Sequence, residues 1–327
     1  MADLGKVLVT GSSVAQEHLD HLARAGFQVH PVPGLLNEAE LGSELASCTA
    51  YLLGGDEFAS RAVLARATSL KVVGFLGVGY QSFIDAGAAA ELGIVVTNTP
   101  GTLTNSVAEF TVGLLLAQRR QIPSYAADYR AGRSGTEDKQ HDLAGHRLGI
   151  IGLGAIGTRV AEISVLGLAT ETAYYSRTRK PEVEERLGIV YKDLPSLLSW
   201  AENLVIMVPD TPETRGMIGL PEVALLSPGG ITLVNTARPS AVTPAALLQG
   251  LASGRIRTAA FDGFYGSDVP ETTELLALPS SVLLVTGHIA SLTHDARDAM
   301  AVRCIQSIVN VVMGEADSCI VSVCSSA

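Results

Sequence analysis

Leu148-Gly149-Ile150-Ile151-Gly152-Leu153-Gly154-Ala155-Ile156-Gly157 decides the fold. An apolar run too short for a helix ends in G-x-G-x-x-G, and Val160-Ala161-Glu162-Ile163 follows with helical character. Each glycine has a physical task in a strand-to-helix turn. Gly152 permits the tight turn, Gly154 lets the backbone approach a pyrophosphate, and Gly157 lets helix and strand pack closely. The uncapped N–H groups and dipole of the helix start favour an anion there. Six residues of this pattern are weak evidence alone, but a preceding strand and a following helix are the context that a dinucleotide site requires.

Outward from this turn, short apolar runs alternate with helix-like stretches. Val7–Thr10, Tyr51–Gly55, Lys71–Leu76 and Gly93–Thr97 read as strands, and Ala15–Ala25 and Ser106–Arg120 as helices. Ala126–His146 is polar and reads as a crossing into a second βα series, which runs from Gly149 to about His288. A last helix spans about Thr293–Met313. This rhythm predicts an α/β protein with two Rossmann-like domains, each a doubly wound parallel sheet. Periodicity leaves two arrangements open: side-by-side domains, or a final helix that returns to the first domain.

The chain has 327 residues, 47% hydrophobic and 17% charged, with a net charge of −10. That suits a two-domain globular protein. The acidity argues against nucleic acid or an anionic membrane as partner. No apolar run reaches the roughly 20 residues of a membrane helix, and the start reads as a strand rather than a signal peptide. Cys48, Cys304, Cys319 and Cys324 form no CxxC pair and no metal-ligand spacing with histidine, so free thiols, a cytoplasmic setting and no metal are expected. The Cys319–Cys324 spacing near the tail carries little.

The strand after the glycine turn ends near Thr172–Tyr175. An NAD site places Asp or Glu there to bond the ribose 2′-hydroxyl. This chain instead reads Ser176-Arg177-Thr178-Arg179-Lys180. A 2′-phosphate is repelled by a carboxylate and welcomed by Ser176 with Arg177 or Arg179, which favours NADP(H) over NAD(H). The alternative is a solvated basic loop.

Three further segments end apolar runs in the second half. Thr232–Asn235 delivers Arg238, whose planar fork suits a carboxylate or carbonyl oxygen, or else a surface ion pair. Thr258–Phe261 delivers Asp262, suited to a nicotinamide carboxamide or else a plain turn. Val282–Thr286 delivers His288, a natural proton donor near neutral pH.

With these residues in place the chain resembles the D-2-hydroxyacid dehydrogenase family, which includes glyoxylate/hydroxypyruvate reductases and 3-phosphoglycerate dehydrogenases. The resemblance covers about Lys71 to Met313. It rests on Val95–Gly101, Ser106–Glu109, Gly152–Gly157, Thr211–Ile218, Asn235–Arg238 and Gly287–Ser291 in one order. It implies a discontinuous substrate-binding domain of 1–103 plus 292–327, a dinucleotide-binding domain of 104–291, an active site in the cleft between them, and a homodimer. It implies cofactor contacts from Gly152, Gly154, Ala155, Ile156 and Gly157, from Ser176, Arg177, Thr178 and Arg179, and from Val208, Pro209 and Thr214. Thr236, Ala237, Arg238, Asp262, His288 and Ala290 complete that set. The substrate, a small 2-oxo or 2-hydroxy acid, is implied to meet Gly77, Val78, Gly79, Arg238, His288 and Tyr265. Arg238 would hold the carbonyl oxygen and carboxylate, and His288 would donate the proton.

The chain departs from the family at Tyr265, where a glutamate normally pairs with the histidine. A tyrosine can orient an imidazole by a hydrogen bond but supplies no charge at neutral pH. A His288 pKa below the family norm and a weaker or acid-shifted reduction are therefore expected. Asp268, Glu271 and Glu274 are candidate substitutes. Gly287 stands where proline is usual, and Gln81-Ser82 replaces the frequent Asp-Asn. A weakly catalytic NADP(H)-binding sensor or scaffold, and redox chemistry on another substrate class, remain competing expectations.

Overall fold

The computed structural model describes residues 3–11, 14–133 and 140–321. The chain divides into two compact units, 1–103 with 292–327, and 104–291.

The first unit holds β1 (Gly5–Thr10), β2 (Phe27–Val32), β3 (Ala50–Leu53), β4 (Val72–Phe75) and β5 (Val95–Thr97). All are parallel, in the order β2-β1-β3-β4-β5. β3 and β4 are buried along their whole length, as expected of strands covered by helices on both faces. β2, Phe-Gln-Val-His-Pro-Val, has no clean alternation and contains Pro31. It pairs on one side only, and an edge strand tolerates the missing N–H.

The final helix, His294–Met313, belongs to this unit, which settles the arrangement that periodicity left open. Its Cys304, Ile305 and Ile308 join Val7, Val9, Leu52 and Val72 in one core. Gly74 in β4 makes that approach possible, since a Cβ there would lie 2.6 Å from the Cys304 sulfur. His18 Nε2 and Asp298 Oδ1, 2.9 Å apart, tie the first helix, Gln16–Ala25, to the last.

The second unit holds β6 (Arg147–Ile151), β7 (Glu171–Tyr175), β8 (Val190–Tyr191), β9 (Asn203–Ile206), β10 (Ile231–Asn235), β11 (Ile256–Asp262) and β12 (Leu283–Thr286). The order is β12-β11-β10-β9-β6-β7-β8, all parallel. The winding reverses between β6 and β9, and in such sheets ligands bind outside the strand ends at that reversal. The glycine turn follows β6, so it lies at the reversal.

One reading of the sequence needs correction. The polar stretch Ala126–His146 is no crossing between the units. Its described residues lie inside the second unit, and its start completes a helix, Ile122–Arg130; residues 134–139 lie outside the described residues. The apolar helix expected at Ser106–Arg120 spans Thr104–Arg119. Its Val112, Leu114 and Leu115 are buried in the unit's own core with Ile150, Val205 and Val234. Cys48, Cys304 and Cys319 are free and buried; Cys324 lies outside the described residues.

Candidate active site

The glycine turn is built as its sequence requires. Gly152 has φ +99°, and a Cβ would meet the Met207 carbonyl oxygen at 2.5 Å. A Cβ on Gly157 would lie 2.1 Å from the Gly152 carbonyl oxygen, so helix and strand pack too closely there for any side chain. Gly154 differs, because a Cβ on it would meet nothing within 4 Å. Its bareness serves something outside the fold. Gly154 also caps the helix Ala155–Glu162 with no side-chain acceptor, which leaves the N–H groups at Ala155 and Ile156 for an anion. These features fit the pyrophosphate of a dinucleotide.

Beyond β7 the basic loop is divided. Arg179 donates to both oxygens of Glu184, at 2.8 and 2.7 Å, and its guanidinium stands 5.9 Å over the Tyr191 ring. Arg179 and the Tyr174 hydroxyl hold the Glu184 carboxyl down at about 2. Ser176 Oγ donates to the Thr178 carbonyl at 2.6 Å. Arg177 is exposed, and its charge is felt at Glu213, whose carboxyl is held low first by a hydrogen bond from Thr211 and only last by Arg177. Of the two arginines proposed from the sequence, Arg179 is committed to Glu184.

After β9, the loop through Val208 and Pro209 is tied by Thr214, whose Oγ1 donates to the Pro209 carbonyl at 2.5 Å and accepts from the Thr211 N–H at 2.9 Å. The neighbouring Asp210 accepts from Arg215 at 2.8 and 3.0 Å and from Ser240 at 2.8 Å.

Asn235 shapes the Arg238 loop, a role the sequence reading missed. Its side chain accepts from the Ala237 N–H at 3.0 Å and donates to the Arg238 carbonyl at 2.9 Å. Thr236 is pinned by a 2.6 Å hydroxyl contact with Thr111. Arg238 is partly buried and donates to the Ala237 carbonyl at 3.1 Å. Burial pushes the guanidinium below its usual range, while Asp210 opposes that. An arginine stays charged throughout the neutral range, so a partly desolvated cation waits at the end of β10.

Asp262, 2% exposed, does not point its acceptors at open space. Oδ1 accepts from the Thr286 hydroxyl at 2.7 Å and from the Ile289 N–H at 2.8 Å, and Oδ2 accepts from the Ala290 N–H at 2.8 Å. Three donors on one carboxylate make it the anchor of the turn after β12. The anchored turn holds His288 at φ +58°, a left-handed conformation uncommon for a side-chain-bearing residue. His288 is exposed, and a Cβ on Gly263 would lie 3.6 Å from its Cβ.

Tyr265 is also placed differently from expectation. Its hydroxyl donates to the Val242 carbonyl at 2.8 Å, so that proton does not orient the imidazole. The ring packs 4.7 Å from Phe264 and 6.1 Å from Phe261. Burial, with Glu271 adding to it, pushes the phenol well above its ordinary range.

In the first unit, the turn Gly77-Val78-Gly79 follows β4. The first two carbonyls are occupied: Gly77 accepts from the Thr99 N–H and hydroxyl at 2.9 and 3.1 Å, and Val78 accepts from Asn98 at 3.1 Å. Among the described residues the Val78 and Gly79 N–H groups donate to no protein acceptor. That pattern suits an anion.

A doubly wound sheet with a glycine turn at its reversal, and an arginine and a histidine on loops after the two strands that flank β11, defines a dinucleotide-dependent oxidoreductase. Residues 112–290 match the family described as D-isomer specific 2-hydroxyacid dehydrogenase, NAD binding domain, and the chain belongs to that family. It is 38% identical to the glyoxylate reductase of Thermococcus litoralis over 261 residues, 77% of each chain. It is 33% identical to the D-3-phosphoglycerate dehydrogenase of Methanocaldococcus jannaschii over 312 residues, 95% of this chain and 58% of that one. The crystal structure of the TT0316 protein from Thermus thermophilus superposes with a TM-score of 0.86 at 31% identity, covering 97% of this chain and all of that one.

Proposed function

We propose that this chain reduces a 2-oxo acid to the D-2-hydroxy acid and prefers NADPH to NADH. The observation that carries this reading is the placement of Arg238 and His288 on loops after the parallel strands β10 and β12, which flank β11, the strand that supplies Asp262. The glyoxylate reductase relative supports the substrate class.

Gly152–Gly157 would hold the pyrophosphate of the dinucleotide, and Arg177, with Ser176, its 2′-phosphate. When bound, the nicotinamide supplies the hydride that the carbonyl carbon accepts. Arg238 holds the carbonyl oxygen and carboxylate of the acid and stabilises negative charge as it develops on that oxygen. His288 Nδ1 or Nε2 then gives the oxygen its proton. Asp262 keeps the imidazole in place through the backbone of its turn. In the first unit, which we take as the substrate-binding unit, the Val78 and Gly79 N–H groups suit a carboxylate. Tyr265 is assigned to the scaffold. A homodimer and a cytoplasmic location complete the proposal, the first checked by sedimentation.

The test is loss of NADPH absorbance with a panel of 2-oxo acids, run beside NADH. Turnover with NADPH that exceeds turnover with NADH supports the reading. Tight NADPH binding with no turnover of any 2-oxo acid would favour a sensor or scaffold and overturn it.

A further inference from the structure

The start of β7 is left uncovered on one side. β8 pairs only with Ala173 and Tyr174, so Glu171 and Thr172 have no strand beside them there. A cavity of about 270 Å³ lies at that free edge, close to the lower bound of ~300 Å³ for small-molecule sites. The Ser176–Arg179 loop and the glycine turn follow the C-terminal ends of β7 and β6. The cavity sits at the opposite end of β7 and is separate from the proposed dinucleotide site.

One side of the edge supplies donors and apolar surface. Thr170 and Thr172, both buried and both lining the cavity, share one bond between their hydroxyls at 2.8 Å. Such a pair uses one of its two hydroxyl protons, and the second finds no acceptor among the described residues. Ser164, whose carbonyl accepts from the Thr170 N–H at 3.1 Å, is fully buried, and its hydroxyl has no partner among the described residues. Glu171 donates its N–H to the His146 carbonyl at 3.1 Å, toward β6. The Thr172 N–H therefore faces the free edge, where it meets no acceptor among the described residues. Val165, and Leu187 at the end of the helix Pro181–Leu187, line the cavity beside these groups.

The other side is charged. Strand alternation puts Glu171 on the face of Ala173, and the register puts Val190 and then Lys192 on that same face. Lys192 Nζ stands 5.2 Å from the ring centroid of Trp200, and all three of Glu171, Lys192 and Trp200 line the cavity. Among the described residues neither Glu171 nor Lys192 belongs to an ion pair, with each other or with a third group. Their charged neighbours are engaged elsewhere. Asp193 caps the helix Leu194–Trp200 by accepting from the Ser196 N–H at 2.7 Å. Arg147, opposite Glu171 on β6, has its Nε 3.7 Å from Glu202. Opposite charges that line one small cavity without meeting suit a ligand that carries both. We infer that this cavity binds a small zwitterion, a neutral apolar α-amino acid. Lys192 and the Thr172 N–H take its carboxylate, Glu171 takes its ammonium, and Trp200, Val165 and Leu187 cover its side chain.

Trp200 is the only tryptophan in the chain, so its emission reports on this cavity. The experiment titrates the full chain with L-leucine, with 4-methylpentanoate, which lacks the ammonium, and with 3-methylbutylamine, which lacks the carboxylate. Calorimetry follows the same titrations, because substitutions beside the ring alter its emission. L-leucine is expected to give a saturable response, with both analogues about tenfold or more weaker, the worth of one charge-assisted hydrogen bond. Lys192→Met and Glu171→Gln are each expected to weaken L-leucine by about tenfold or more. Saturating NADPH is expected to leave the L-leucine dissociation constant within about threefold, as for two uncoupled sites. No saturable response to L-leucine would overturn the inference. So would an analogue that binds as tightly as L-leucine, an affinity unchanged in either variant, or competition between L-leucine and NADPH.

Discussion

The Asp262 carboxylate accepts a hydrogen bond from the backbone N–H of Ala290 at 2.8 Å and thereby fixes the turn that presents His288. The adjacent Ile289 N–H and the Thr286 hydroxyl share the same carboxylate. Asp262→Ala leaves three buried or partly buried donors without an acceptor, at a cost of about 2–4 kcal/mol. For a unit of this size that lowers the melting temperature by roughly 5–15 °C. Activity is expected to fall with it, through kcat more than through the KM for NADPH. Calorimetry and steady-state kinetics on the purified variant check both, and an unaltered kcat would show that the turn keeps its shape without the anchor.

Two glycines of one motif are predicted to fail in different ways. At Gly157 a Cβ would meet a backbone oxygen at 2.1 Å, whereas at Gly154 it would meet nothing within 4 Å. Gly157→Ala is expected to lower the melting temperature strongly, because neither backbone segment can move without disturbing β6. Gly154→Ala is expected to melt close to wild type yet bind NADPH about tenfold or more weakly, since its methyl group occupies the approach of the pyrophosphate. Titration of protein fluorescence with NADPH, beside a thermal melt, separates the two.

Cofactor choice is predicted to depend on Arg177 more than on Arg179, whose fork is already engaged by both oxygens of Glu184. Arg177→Gln is expected to raise the KM for NADPH about tenfold, the loss of roughly one charge-assisted hydrogen bond, with the KM for NADH little changed. Arg179→Gln is expected to change the NADPH to NADH ratio less than threefold. Equal effects from the two variants would show that Arg179 leaves Glu184 to bind the phosphate.

These contrasts mark what a one-dimensional reading reaches. The glycine turn was legible because its requirements are local: a strand, three bare residues and a helix within about a dozen positions. That Arg238 and His288 stand just beyond strands was legible because each follows an apolar run. The role of Asp262 was not, since its partners lie 27 and 28 residues away and are backbone groups of no particular residue type. β2 was missed because an edge strand with Pro31 lacks the alternation that a half-buried strand shows. The capture of Arg179 by Glu184 lay within reach, five residues apart, but a basic cluster invites reading as a unit. Asn235 was passed over although it begins the motif, because its hydrogen bonds close on its own loop.

Tyr265 stands where the family's glutamate is expected, and its hydroxyl serves the Val242 carbonyl. Tyr265→Phe is therefore predicted to cost about 1 kcal/mol of stability, the net worth of one neutral hydrogen bond. The pH profile of kcat is expected to keep its shape, with kcat within about threefold of wild type. Urea unfolding and a pH–rate profile check this. A displaced pH break would mean that the phenol acts on the imidazole.

The central claim is that His288 moves the proton, and His288→Asn tests it most directly, because asparagine accepts the left-handed backbone conformation at this position. The measurement is single-turnover NADPH oxidation with a 2-oxo acid that the wild type reduces, paired with an NADPH binding titration. The account predicts an unchanged dissociation constant for NADPH and a rate lower by about 100-fold or more, the usual worth of a positioned general acid. A rate within threefold of wild type, at unchanged NADPH affinity, would contradict it.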